Sequence, residues 1–181
     1  MTPVESLWFV LVVLFGIVGI VRGFLKELGV TLVLVVLLFG LARLSDNMQK
    51  ILDAITGFTK VQAIGKLYGN TDVWLVFYAG IILIVMYIAY QGYVIKYPGN
   101  DPKGIEGTLL SLMIGLINGY LFAGSLWFYL DKYKEPLVRL GLFNGEYSAL
   151  AQKLLKILPP ELLNPFLPFL VVFMIILLVI K

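Results

Sequence analysis

The chain has 181 residues, 60% of them hydrophobic and 14% charged, with a formal charge of +3 and a mean hydropathy of +0.96. A soluble domain carries about 25% charged residues, so this chain cannot clothe itself in polar surface; lipid is part of its solvent, and its class is all-α integral membrane protein. It has no cysteine and no histidine, which excludes a disulfide framework, Cys/His zinc sites, thiol nucleophiles, Ser-His and Cys-His dyads and histidine-ligated haem.

The N-terminus, MTPVESLWFV, has no basic n-region, and no small-x-small cleavage pattern follows before Arg22. The first apolar segment is therefore expected to be an uncleaved span. Leu7 to Val21 and Leu28 to Ala42 are each fifteen residues of apolar side chain or glycine, broken only by Thr31. Each run covers roughly 22 Å, against a ~30 Å hydrocarbon core. One helix through both would leave Arg22 and Lys26 in mid-membrane. Two antiparallel helices with a tight turn at 22–27 are predicted instead. Arg22, Gly23, Phe24, Lys26 and Glu27 are then candidates for an interfacial turn. Arg22 and Lys26 would reach lipid phosphates, with Phe24 at headgroup depth.

Residues 46–66 are different in kind. Met48, Ile51, Leu52, Ile55 and Phe58 recur at three- and four-residue spacing, with Lys50, Asp53 and Lys60 between them. This pattern predicts an amphipathic helix lying in the interface. A third span is expected at 73–90, then a Pro/Gly-rich turn, KYPGNDPKGIEG. The fourth and longest span is expected at 107–130, followed by a second short amphipathic helix at 148–158. PPELLNPFLP then breaks and restarts the chain before a final apolar run at 166–180, which either spans or inserts partially.

The fold expected is thus one membrane domain of four to five transmembrane helices with interfacial amphipathic helices. With five alternating spans, nine Lys/Arg fall on the N-terminal side and five on the other. This favours an N-terminus inside, whereas Arg22 and Lys26 in a short turn argue for the opposite. Trp8, Trp74 and Trp127 all fall on the N-terminal side, where interface anchors are expected.

Intramembrane catalysis needs ionisable groups at depth, and the five apolar runs contain no Asp, Glu, Lys, Arg or His. GNDPKGIEG is no P-loop, lacking the Gly-Lys-Ser/Thr ending. A non-catalytic protein without cofactor or metal is expected. Its basic residues lie in loops between apolar runs, which points away from nucleic acid. Among polar residues within the runs, Asn118 is the strongest, and an interhelical hydrogen bond is its expected role; a permeation role, or a pore built by an oligomer, stays open.

Gly107, Ser111, Gly115, Gly119 and Ala123 lie four residues apart along the fourth span. They form one small-residue face, and helices in lipid associate through such close approach. Gly16, Gly19 and Gly23 on the first helix are a candidate partner face. The groove is either filled within the chain or is an interface with a second copy or another membrane protein.

Gly19-x-x-Arg22-Gly23-Phe24-x-x-Glu27 resembles the start of the colicin V production protein (CvpA) family. Gly115-Leu116-Ile117-Asn118-Gly119, followed by an apolar stretch to Leu130-Asp131, resembles that family's glycine-rich later helix. The likeness covers roughly residues 5 to 131. It departs from the family pattern at Asn118, where a basic residue is common. The resemblance implies a multi-pass protein of the bacterial inner membrane, linked to colicin V production or export and to envelope upkeep, without catalytic activity. A scaffold or accessory factor is expected, with membrane lipids and other transmembrane proteins, or itself, as partners. A peripheral subunit of a respiratory or photosynthetic complex is the alternative, and a small oligomeric channel a further one.

Overall fold

The computed structural model describes residues 3–59, 70–91, 95, 97–143 and 147–179. Among these the chain is helical with no strand, and five segments are long and apolar enough to cross a membrane. The long helices are α1 (Pro3–Arg22), α2 (Phe24–Thr59), α3 (Thr71–Gln91) and α4 (Gly104–Lys132). Short helices α5 (Glu135–Arg139), α6 (Ala149–Leu155) and α7 (Pro159–Leu163) follow. A 3-10 turn at Asn164–Phe166 then leads into α8 (Leu167–Val179).

Helix α4 is the hub. At 29 residues it is roughly 43 Å long, and α1, α2 and α3 all pack on it. α1 runs antiparallel to it, with Gly19 beside Ser111 and Gly115, Gly16 beside Leu112 and Leu116, and Val12 beside Gly119. α2 runs parallel to α4: Thr31 meets Asn118 at one end, and Ser45 accepts a hydrogen bond from Lys132 at the other (2.9 Å). α3 is antiparallel again, its Tyr78 stacked on Tyr129 at 4.3 Å. Among the long helices α8 leans chiefly on α2. Most of its side chains are exposed, with Leu167 and Met174 turned inward.

The small-residue face of α4 is filled within the chain. Gly107, Ser111, Gly115, Gly119 and Ala123 are all buried, as are Gly16 and Gly19. A Cβ on Gly19 would stand 2.9 Å from the Gly115 Cα, and one on Gly119 2.8 Å from the Val12 Cα. The backbones of α1 and α4 therefore touch, the close approach on which helix association in lipid depends. Outward-facing Leu7, Val10, Leu14 and Ile17 on α1 and Leu109, Leu110, Met113 and Ile117 on α4 are exposed, as suits a lipid-facing surface.

Two expectations are corrected. The second apolar span ends at Ser45, close to the expected bound, but no separate interfacial helix follows it; α2 runs on as one helix of 36 residues to Thr59. Leu44-Ser45-Asp46-Asn47 contains no Gly or Pro to break it, and the Asn47 amide donates back to the Arg43 carbonyl at 3.0 Å. Residues 60–66 of the expected amphipathic helix lie outside the described residues. The last helix, Leu167–Val179, falls on the apolar run expected at 166–180, after a 3-10 turn at Asn164–Phe166 that holds Pro165. Second, Trp8 and Trp127 are buried, packed on each other with ring centroids 6.3 Å apart. They are core residues, and only Trp74 of the three is half-exposed.

The short amphipathic segment at 148–158 packs as its pattern predicts. Ser148 caps α6 by accepting the Ala151 N–H at 3.1 Å, and Ala151, Leu154 and Leu158 face inward.

Candidate functional site

The chain reverses at a single residue. Gly23 has φ +91°, a left-handed conformation that glycine adopts without the Cβ penalty. Its N–H still donates to the Gly19 carbonyl at 3.0 Å, and its own carbonyl accepts the Glu27 N–H at 3.2 Å. The first N–H groups of α2 need acceptors from elsewhere. Asp101, 76 residues away, supplies one: its Oδ1 accepts the Leu25 N–H at 2.8 Å. A carboxylate there also suits the positive end of the helix dipole.

This hinge aims Arg22 and Glu27 at each other, and both turn into the bundle. Glu27 is fully buried. Its Oε2 accepts from the Tyr90 hydroxyl and the Asn118 amide, each at 2.8 Å. The same amide donates to the Glu27 carbonyl at 2.9 Å. The Thr31 hydroxyl lies 2.7 Å from Asn118 Oδ1 and 3.0 Å from the Glu27 carbonyl. Arg22 Nε is 3.3 Å from Glu27 Oε1, and its guanidinium lies over the Tyr90 ring at 4.2 Å. The ion pair is close but not aligned as a hydrogen bond, so Glu27 Oε1 and Arg22 Nη1 are buried without a hydrogen-bond partner.

The turn falls at 22–27 as expected, but Arg22 and Glu27 pair inside the bundle instead of reaching outward to lipid phosphates; of its other residues, Lys26 is exposed and Phe24 half-buried. Glu27, the residue directly before the apolar run that begins at Leu28, places a buried carboxylate inside the bundle. The physical reason is mutual: a charge enters low dielectric only when paired and hydrogen-bonded, and Glu27 has one cation and two donors on its carboxylate. Asn118 makes the interhelical bond expected of it. Asp101, which by its spacing reads as an ordinary solvated loop charge, caps α2 instead, and Tyr90 carries no sequence signal of its role. One available signal was the i,i+4 pair Glu27–Thr31, which puts two polar side chains on one face of a helix otherwise apolar there.

A second polar group sits at the other end. Glu5 is fully buried, and its Oε1 accepts from the Ser148 hydroxyl. Nearby loops are tied by two exposed contacts, Arg139 to Asp72 at 2.5 Å and Thr71 to Glu135 at 2.8 Å, and by a part-buried one, Lys134 to Asp131 at 3.1 Å. The Asp72 carboxylate raises the pKa of Arg139 by hydrogen bond and charge. Burial, then the hydrogen bond to Asp131, pushes the Tyr147 phenol upward. No grouping of three acidic metal ligands occurs among the described residues.

Comparison with family models, with curated proteins and with solved structures finds no match for this chain.

Proposed function

We propose that this is a non-catalytic scaffold or accessory protein of a bacterial inner membrane, serving export or envelope processes as the likeness to the CvpA family implies. The observation that supports it is the use made of Glu27. The charge is spent on joining the α1–α2 hinge, α3 and α4, and it has no exposed surface. Such a network fixes a frame rather than presenting a group to substrate. With the α4 groove filled by α1, partners would dock on the outer faces.

Crosslinking in native membranes followed by mass spectrometry tests this. A recurring membrane-protein partner of the secretion or envelope machinery is the expected result. Stoichiometric co-purification with a respiratory or photosynthetic complex would replace it with the accessory-subunit reading. Solute or ion flux through the purified protein in liposomes would replace it with a channel.

A further inference from the structure

A cleft of about 300 Å³ lies between the end of the apolar part of α2 and the start of α8, lined by Phe39, Ala42, Arg43, Asn164, Pro165 and Pro168. Its composition is divided. Phe39, Ala42 and the two prolines give apolar walls, whereas Arg43 and Asn164 give a cation and an amide. No carboxylate is among these described lining residues. Arg43 is exposed, its guanidinium 5.4 Å from the Phe39 ring, and it forms no ion pair with a described residue.

The level of the cleft along the bundle is informative. It sits where the apolar run of α2 gives way to polar residues and where α8 begins, which is where a headgroup meets acyl chains. α8 below it carries exposed apolar side chains, among them Phe169, Val172, Phe173 and Ile176. A guanidinium that pairs with none of the described side chains, set between two helices at this depth, attracts an anionic headgroup; the cationic end of a zwitterionic one is repelled.

The geometry points to a binding site for one anionic phospholipid in this cleft. Its phosphate is held by the Arg43 guanidinium and the Asn164 amide, and its acyl chains lie along α8. The Pro165–Pro168 turn keeps the cleft open by displacing the start of α8 from a straight path.

Titration of the full-length protein in mild detergent with phosphatidylglycerol or phosphatidylcholine of matched chains, read by native mass spectrometry, tests this. One phosphatidylglycerol should be retained about tenfold more tightly than phosphatidylcholine, the worth of one charge-assisted contact. Arg43→Gln should abolish that preference, and Arg43→Lys should keep part of it. Lys103→Gln, at the opposite end of the bundle, should leave it intact. Preference surviving in Arg43→Gln, or absent from the unaltered protein, overturns the site. Displacement of the lipid by soluble glycerol phosphate at millimolar concentration also overturns it, since the site would then recognise phosphate alone. Should Arg43→Gln lose helicity, Asn164→Leu carries the same test, with the same loss of preference expected.

Discussion

Asn118 donates one amide to both the carboxylate and the main-chain carbonyl of Glu27, at 2.8 and 2.9 Å, across 91 residues of chain. That joint makes α2 and α4 one unit, and Arg22 and Tyr90 bring α1 and α3 into it. The energetics of the joint follow from what each partner leaves behind when removed. Asn118→Leu takes two donors from Glu27 and should cost about 1–3 kcal/mol. Glu27→Leu leaves Arg22 mostly buried without its counter-ion and should cost more, about 3–5 kcal/mol. The double change Arg22→Leu with Glu27→Leu should recover most of that loss, because apolar replacements remove the desolvation penalty along with the pair. Thermal unfolding in detergent of the single and double variants measures this. A double variant as unstable as Glu27→Leu alone would show that the cluster does more than balance its own charges.

The α1–α4 seam gives a graded series. Gly19→Ala drives its methyl into the Ser111 carbonyl and to 2.9 Å from the Gly115 Cα, both backbone atoms that cannot swing away. A loss of about 1–3 kcal/mol is expected, and Gly115→Ala should behave alike. Gly16→Ala meets the end of the Leu116 side chain at 2.7 Å, which can rotate, so its cost should be smaller. Gly40→Ala and Gly80→Ala meet nothing within 4 Å and should be neutral or slightly stabilising, since helix propensity favours alanine. Equal losses at Gly19 and Gly80 would mean that the seam is not where the close approach lies.

Gly23 and Asp101 work together at the hinge. Gly23→Ala places a side chain at φ +91° and its Cβ 3.1 Å from the Asp101 Oδ2. Strain of about 1–2 kcal/mol should add to displacement of the cap. Asp101→Ala should cost about 1 kcal/mol through the orphaned Leu25 N–H. Asp101→Asn keeps an acceptor and should fall between. Hydrogen exchange localises the effect: faster exchange should be confined to the first turn of α2. Faster exchange spread through α2 and α4 would mean that the hinge carries the bundle rather than one helix end.

The sequence made the architecture legible because lipid imposes a simple rule: long apolar runs become helices, and small residues four apart become a packing face. Both hold at α4. The end of α2 was not legible, because charge at Arg43 and Asp46 marks where lipid stops and not where a helix stops; without Gly or Pro the backbone continues. The polar cluster was half legible. Asn118 stands alone in an apolar span and draws attention, whereas Glu27 sits beside a turn rich in charge and reads as solvated. Two of its partners, Tyr90 and Asn118, lie 63 and 91 residues away, and nothing local in the chain pairs Glu27 with those. Trp8 and Trp127 mislead for a related reason. Position along the chain gives depth in the membrane but not which side of the helix faces inward.

That last distinction is measurable by fluorescence. Trp8 and Trp127 are 9% and 3% exposed and face each other inside the bundle, while Trp74 is half-exposed on α3. Brominated acyl chains quench tryptophan on contact, so in liposomes of brominated lipid only part of the emission should be lost. Trp74→Phe should remove most of the quenchable fraction. Trp8→Phe and Trp127→Phe should lower total emission and raise the quenchable share. The remaining signal of the Trp74 variant should also resist soluble acrylamide, since both indoles are closed to water. Strong quenching by brominated lipid that persists in Trp74→Phe would place Trp8 or Trp127 against lipid, and the packing of α1 on α4 at that end of the bundle would have to be redrawn.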